Sequence, residues 1–221
     1  EATPLYVAAP GVLPAAVARR RYVGPDWADY RNIATNSGVL SRASLPGGFA
    51  LAAGLFRSVN DTRENHAHVL SDVRADGSAV RRISRDPRQK LASTSGEIRL
   101  SRTIVAGDWA HALHASLRGR QRESLYGGGA SLSLGPTRVE DRVDMAEPAF
   151  ALGARTRDEV EQWTGGLAYD LRWRGHGAIS VGLQRADYRK TILRPDGVRA
   201  VAHDPAWLYN AAASWTLSRD V

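Results

Sequence analysis

The chain has 221 residues, a formal net charge of +7 and no cysteine. Without cysteine there is no disulfide, thiolate metal site or cysteine nucleophile, and no run reaches the ~18 apolar residues of a membrane helix. The positive charge alone would suit nucleic acid, but the arginines are spread through every predicted loop and inward face with no aromatic-plus-basic platform, so nucleic acid is not an expected partner.

Residues 1–31 hold Pro4, Pro10, Pro14 and Pro25, then Arg19-Arg20-Arg21 and Trp27. Proline at this density opposes a regular ladder, so the segment reads as loop. The arginine triplet is a candidate anion contact, although such runs are usually solvated loop faces. Alternation from Ile33 to Leu45 is weak, with Ile33, Val39 and Leu45 on one face and Asn36 and Arg42 on the other. Pro46-Gly47-Gly48 is a turn. The next strand sets Phe49, Leu51, Ala53 and Leu55 against Ala52, Gly54, Phe56, Ser58 and Asn60.

A polar stretch to about Leu91 follows. Ala75-Asp76-Gly77-Ser78 is a hairpin turn between His66–Arg74 and Ala79–Arg85, arms whose charges place them in water. His66 and His68 share a face at a spacing that suits a metal, but no third ligand is in view, so they read as solvated loop histidines and no metal is assigned. From Ala92 to Val105, Ile98, Leu100 and Ile104 share a face that Arg102 interrupts; Ser93, Ser95, Glu97, Arg99, Ser101 and Thr103 fill the other. After Ala106-Gly107-Asp108, Trp109, Leu113, Ala115 and Leu117 face outward, and His114, Ser116, Arg118 and Arg120 inward. His111 and His114 leave opposite faces and cannot chelate together. A polar segment from Gln121 to Arg157 contains Gly127-Gly128-Gly129, which no Lys-Ser/Thr pair or helical pattern follows, so it is not a phosphate loop.

The central hairpin is the clearest element. Trp163, Gly165, Leu167, Tyr169, Leu171 and Trp173 alternate with Gln162, Thr164, Gly166, Ala168, Asp170 and Arg172. A two-residue period over a dozen positions is a β-strand, longer than the usual 5–6 residues. With a rise of about 3.3 Å and a tilt near 45°, the two tryptophans lie roughly 24 Å apart along a membrane normal. That matches the roughly 25 Å apolar band and paired aromatic girdles of an outer-membrane barrel. Arg174-Gly175-His176-Gly177 reverses the chain. Ile179, Val181 and Leu183 then oppose Ala178, Ser180, Gly182 and Gln184. After a loop with Pro195-Asp196-Gly197, the last strand puts Trp207, Tyr209, Ala211, Ala213, Trp215 and Leu217 on one face.

Tight turns fall near Gly47, Gly107, Gly175 and Arg219, and long polar excursions around 61–91, 121–157 and 190–206. Short turns on one rim and long loops on the other is the outer-membrane arrangement, with the tight side periplasmic. The expected fold is therefore all-β: an antiparallel transmembrane barrel arc of about seven long strands with long extracellular loops. Residues 1–31 form an extracellular loop segment and 32–221 a partial barrel. Trp109, Trp163, Trp173, Trp207 and Trp215 are the girdle; Arg99, His114, Arg118, Arg120, Tyr126 and Gln184 are candidate lumen or ligand residues, with Trp27 a further apolar contact at the loop mouth.

Trp27-Ala28-Asp29, Gly54-Leu55-Phe56-Arg57-Ser58, Asp86-Pro87-Arg88, the run Ser93 to Leu100, Gly166-Leu167-Ala168-Tyr169 and the run Ile179 to Thr191 resemble TonB-dependent siderophore receptors, from about Arg20 onward. The resemblance implies a barrel of about 22 strands closed by an N-terminal plug. Such a receptor sits in the bacterial outer membrane and imports ferric siderophores or similar chelates with energy from TonB. Iron would be carried only as bound chelate, with no resident cofactor. The chain departs from the family in showing neither TonB box nor plug and no terminal aromatic strand, and reads as an internal fragment. A plugless channel or adhesin-like barrel is the alternative. A barrel-embedded hydrolase would need a nucleophile beside an inward histidine, and His114, Ser116 and Glu97 are the set to test; the reading adopted is not an enzyme.

Overall fold

The computed structural model describes residues 5–14 and 22–217. The Arg19-Arg20-Arg21 triplet and the turn expected near Arg219 lie outside the described residues. Of the described residues 73% are strand, with no helix among them beyond one 3-10 turn, and they form an antiparallel sheet curled into a half-barrel. Ten strands follow in order: β1 (Leu5–Ala8), β2 (Tyr30–Leu45), β3 (Phe49–Val73), β4 (Ser78–Asp86), β5 (Gln89–Ala106), β6 (Trp109–Tyr126), β7 (Ala130–Arg138), β8 (Thr156–Trp173), β9 (Gly177–Leu193) and β10 (Arg199–Trp215). Seven of them are 16 to 25 residues long, which is the expected arc. The wall runs β10-β9-β8-β6-β5-β3, with β2 on the far edge of β3.

Continuous ladders carry the side-chain alternation from strand to strand. Trp163 pairs with Gly119 and Asp187, Leu167 with Ala115 and Leu183, and Ile98 with Leu117 and Ala53. All of these share one face, on which Trp163 is 58%, Leu167 65% and Tyr209 75% exposed. On the other face the glycines are crowded: Phe56 lies over Gly38, Leu40 over Gly54, Gln184 over Gly166 and Asn210 over Gly182. Strands are staggered: Phe49 at the foot of β3 is level, through Arg102 and Leu113, with Tyr169 rather than with Trp173. A stagger of this kind accompanies strand tilt in a closing sheet.

The aromatic face ends in a ring cluster at the tight-turn rim and carries single tryptophans toward the other end. At the tight-turn rim Trp109 stacks on Trp173 with centroids 4.8 Å apart, His176 stacks on Trp173 at 3.7 Å, and Trp215 meets Trp173 edge-on at 5.7 Å. Gly177 lies between Trp215 and Trp173 in the register and leaves room for the rings to approach. Near the other end the Trp163 ring lies across Gly119, and Arg185 covers Trp207 at 5.3 Å. Arg102, which interrupts the apolar pattern of β5, sits over Phe49 at 5.0 Å. Arg102 and Arg185 are thus each applied to an aromatic ring. His111 is likewise matched, its Nδ1 2.8 Å from the Tyr169 hydroxyl.

The excursions 61–91 and 190–206 hold more strand than loop, and 121–157 is about half strand. β3 runs unbroken through 61–73, and β4 pairs back on it before Pro87-Arg88 hands the chain to β5. Within 121–157, β6 continues to Tyr126 and β7 pairs with β4. Within 190–206, β9 reaches Leu193 and β10 starts at Arg199, leaving a short turn. The proline-rich start also supplies β1, parallel to β3. These strands overshoot the wall because β-hairpins satisfy their own backbone groups and need no membrane to persist. Gly127-Gly128-Gly129 is the joint at which β6 gives way to β7, with Gly127 at φ 80° and Gly128 at φ 77°. A side chain at Gly128 would collide with the carbonyl of Gly153, whose N–H donates to the Gly128 carbonyl at 2.8 Å.

Above the wall these pieces form a cap with the main apolar core: Val23, Leu70, Val73, Ala79 and Val139, with Tyr6 against them. Asp72 at φ 55° marks a bulge, and it lets Leu70 and Val73 both face this core. The expectation of solvated arms and solvated histidines fails here. His68 is fully buried and His66 and Arg81 nearly so, because segments 22–29 and 139–155 fold back over them. Asp61 at the junction accepts two bonds from Arg88, at 2.7 and 2.6 Å, and Arg63 is 3.4 Å away. The Arg88 guanidinium holds the Asp61 carboxyl down to about 2.

Burial, with the Arg81 charge beside it, holds His68 neutral down to about 4, against an ordinary 6.5. The unfolded chain therefore binds the extra proton between those two values, and the cap loses stability as pH falls from about 6.5 to about 4, on the order of 3 kcal/mol. Protection of the Val139 and Val143 amides against hydrogen exchange, which bond to Gly77 and Val23, is expected to drop across that window in the wild type and not in His68→Leu. An equal drop in the variant would assign the acid step elsewhere.

Candidate functional site

The polar face of β2, β3, β5 and β6 carries the densest charge on the wall. Its ladder sets residues in rows. Leu40, Gly54, Glu97, Arg118 and Thr164 form one row; Arg42, Ala52, Arg99, Ser116, Gly166 and Gln184 form the row beside it. Glu97 stands at the centre. Its Oε1 accepts from Arg99 at 2.6 Å and its Oε2 from Arg118 at 3.1 Å. Arg42 faces the same space with no ion-pair partner among the described residues. The result is a shallow cavity of about 390 Å³, lined by Leu40, Arg42, Phe56, Glu97, Arg99 and Arg118. Three guanidinium groups around one carboxylate leave the cavity cationic. Each planar fork can hold a carboxylate through two parallel bonds.

Of the six lumen candidates, Arg99 and Arg118 meet on Glu97. Arg120 is on the same face two positions further along β6, in register with Ser95 and Gln162. The others stand apart. His114 Nε2 is 3.3 Å from Asp170 Oδ2. Gln184 leans over Gly166, and Tyr126 closes β6 opposite Thr156. Arg42, Phe56 and Leu40 join the cavity without having been candidates. Their faces are legible from parity, but their neighbours follow from the register set by the Pro46–Gly48 turn. Trp27 lies in the cap, partly buried: its Nε1 donates to the Met145 carbonyl at 2.8 Å, and its ring meets His66 and Phe150.

The set proposed for a hydrolase does not assemble. Glu97 lies opposite Arg118 and is engaged by two arginines, while Ser116 pairs in register with Arg99 and Gly166. His114 is held by Asp170, and its strand neighbour across the ladder is Ser101. Proton transfer between nucleophile and base needs hydrogen-bond reach, and no such bond links His114 to Ser116. Among the described residues no group of three or more His, Cys, Asp or Glu is placed to hold a metal ion.

Glu97 competes with any anion for Arg99 and Arg118. Glu97→Gln is therefore expected to tighten binding of a small polycarboxylate such as citrate, about three- to tenfold by calorimetric titration, because two guanidinium groups are released. Stability should move by less than about 1 kcal/mol, since the pairs are solvent-exposed. Unchanged affinity would show that the cavity does not take anions. No family model matches this chain, and no curated protein matches it in sequence.

Proposed function

We propose that the chain is an arc of the wall of an outer-membrane, TonB-dependent receptor that imports ferric siderophores or similar anionic metal chelates. The observation that carries the reading is the two-sided sheet. One face is largely apolar, with a ring cluster around Trp173 at its tight-turn end and Trp163 and Trp207 toward the other, and the opposite face bears the Arg42, Arg99 and Arg118 cavity. An apolar exterior with aromatic margins suits lipid, and a polar interior suits a water-filled lumen. Three tight turns, at Gly47, Gly107 and Gly175, share the rim opposite the cap, which adds to it; the cap-side rim has one tight turn of its own at Arg194–Val198. On this reading the tight-turn rim is periplasmic and the cap extracellular. The role of the wall is to present cations to a chelate whose carboxylates or oxyanions are exposed. The wall alone holds a ligand; energy for release comes from TonB acting through a plug on the whole receptor.

The competing reading is a passive channel or adhesin-like barrel on the same wall. Uptake of radioactive ferric chelates by cells expressing the whole protein separates the two. The receptor reading predicts saturable uptake of at least one ferric chelate that stops when the proton gradient is collapsed, and an apparent affinity at least about tenfold weaker in the Arg99→Ala, Arg118→Ala double variant. Uptake that is linear in concentration and indifferent to the gradient would replace the receptor with a channel. No uptake of any chelate would overturn transport altogether.

A further inference from the structure

The cationic cavity has an apolar edge that anion binding alone leaves unused. On the polar face Gly38 pairs with Phe56, Leu40 with Gly54 in the next row, and Arg42 with Ala52 in the row after that. The Phe56 ring lies across Gly38, and Leu40 lies across Gly54. The two side chains converge there: a Cβ at Gly54 would stand 2.8 Å from Leu40 Cδ2 and 3.4 Å from Phe56 Cε2. Leu40 and Phe56 thus form one shelf, 74% and 47% exposed, on the face that carries the arginines. Both line the cavity of about 390 Å³ together with Arg42, Glu97, Arg99 and Arg118.

The charges beside this shelf are of one sign. Its rows continue from Phe56 to Ser95, Arg120, Gln162 and Tyr188, and from Leu40 and Gly54 to Glu97, Arg118, Thr164 and Ala186. The row of Arg42 continues to Arg99, Ser116, Gly166 and Gln184. From β2 to β9 these rows hold one carboxylate, Glu97, which Arg99 and Arg118 already engage. The next, Asp204, stands on β10 at the other edge of the wall. Leu40 is one same-face step from Arg42, roughly 7 Å along the strand, and the row of Phe56 is one step further. An anion seated on the arginines therefore has part of its body against the shelf. A polar substituent there would lose water without gaining a hydrogen bond, whereas a hydrocarbon one is favoured.

We propose that the ligand of this cavity is an amphiphilic polycarboxylate chelate, with its carboxylates on Arg42, Arg99 and Arg118 and one hydrocarbon arm laid on Leu40 and Phe56. The proposal rests on the transport reading for the chelate and on the shelf for the arm. Planar guanidinium forks hold the head. The shelf lies on the cap side of Arg42, so the arm points toward the cap and the head toward the tight-turn rim. A compact, fully hydrophilic chelate fills the arginines and leaves the shelf bare.

The test is calorimetric titration of the whole protein in lipid nanodiscs with two probes of equal charge, the hexylamide and the methylamide of citrate. Each fully buried methylene contributes about fourfold in affinity, and a shelf covers one side of the arm only, so the hexylamide is expected to bind about tenfold more tightly. In the Leu40→Ser, Phe56→Ser double variant that preference should fall below about threefold. Leu208→Ser, which alters an exposed leucine on the same face of β10, should keep it. Equal affinity of the two amides, or a preference that survives in the double variant, overturns the arm and leaves the anion site standing. Absence of binding by both amides and by citrate removes the cationic site, and with it the support the cavity gives to the transport reading.

Discussion

The antiparallel ladder from β2 to β10 is the constraint on which everything else depends. A strand alone alternates its side chains between two faces; only fixed register turns seven separate alternations into two continuous surfaces. One residue of slip in any ladder would place Trp163 or Leu167 among the arginines and Arg118 among the leucines. The tight turns at Pro46–Gly48, Gly107 and Gly175 pin that register, and the matched rows across β3, β5, β6 and β8 follow from it. Every row on the aromatic face faces away from the two neighbouring rows that carry Glu97 with Arg118 and Arg99 with Arg42.

Glycine sits under larger side chains on both faces. On the polar face Gly54 and Gly166 sit under Leu40 and Gln184. On the aromatic face Gly119 and Gly177 sit under Trp163 and beside Trp215, where the missing side chain gives a large ring a surface to lie on. Ring-on-glycine pairs across a ladder compensate for the poor packing of glycine in a strand. They also set the contour of the proposed lipid face, in which the rings are raised and the glycine floor between them is recessed. The cap follows ordinary globular rules instead. Leu70, Val73 and Val139 exclude water, and the buried His68 and Arg81 make its stability sensitive to acid.

Much of the wall was legible because it obeys a period of two. The hairpin from Trp163 to Arg189 could be read residue by residue, and the opposed faces of His111 and His114 appear as their separate partners Tyr169 and Asp170. What sequence could not supply was register between distant strands. Arg42 reaches the Arg99 cavity through Ala52, a relation that no local pattern encodes. The cap was misread for a different reason. His66, His68 and Arg81 lie in a stretch dense with charge, which suggests solvent. They are buried by segments 22–29 and 139–155, whose return over them from tens of residues away leaves no periodic trace. The long polar excursions read as loops because their strands are short or charge-interrupted: β4 breaks its apolar positions with Arg81 and Arg82, and the alternation of β7 covers only Ala130 to Leu134.

The central claim is that the two faces of this wall meet two different solvents, hydrocarbon outside and water within. It is tested most directly by placing a spin label at each position from Gln162 to Trp173 in turn, in bilayers, and measuring relaxation by oxygen, which partitions into lipid, and by a polar nickel chelate, which stays in water. The account predicts a two-residue oscillation with the two relaxants exactly out of phase, oxygen favoured at Gly165, Leu167, Tyr169 and Leu171 and nickel at Thr164, Gly166, Ala168 and Asp170. Uniform access of the nickel chelate to both series would contradict it and leave a soluble β-sheet.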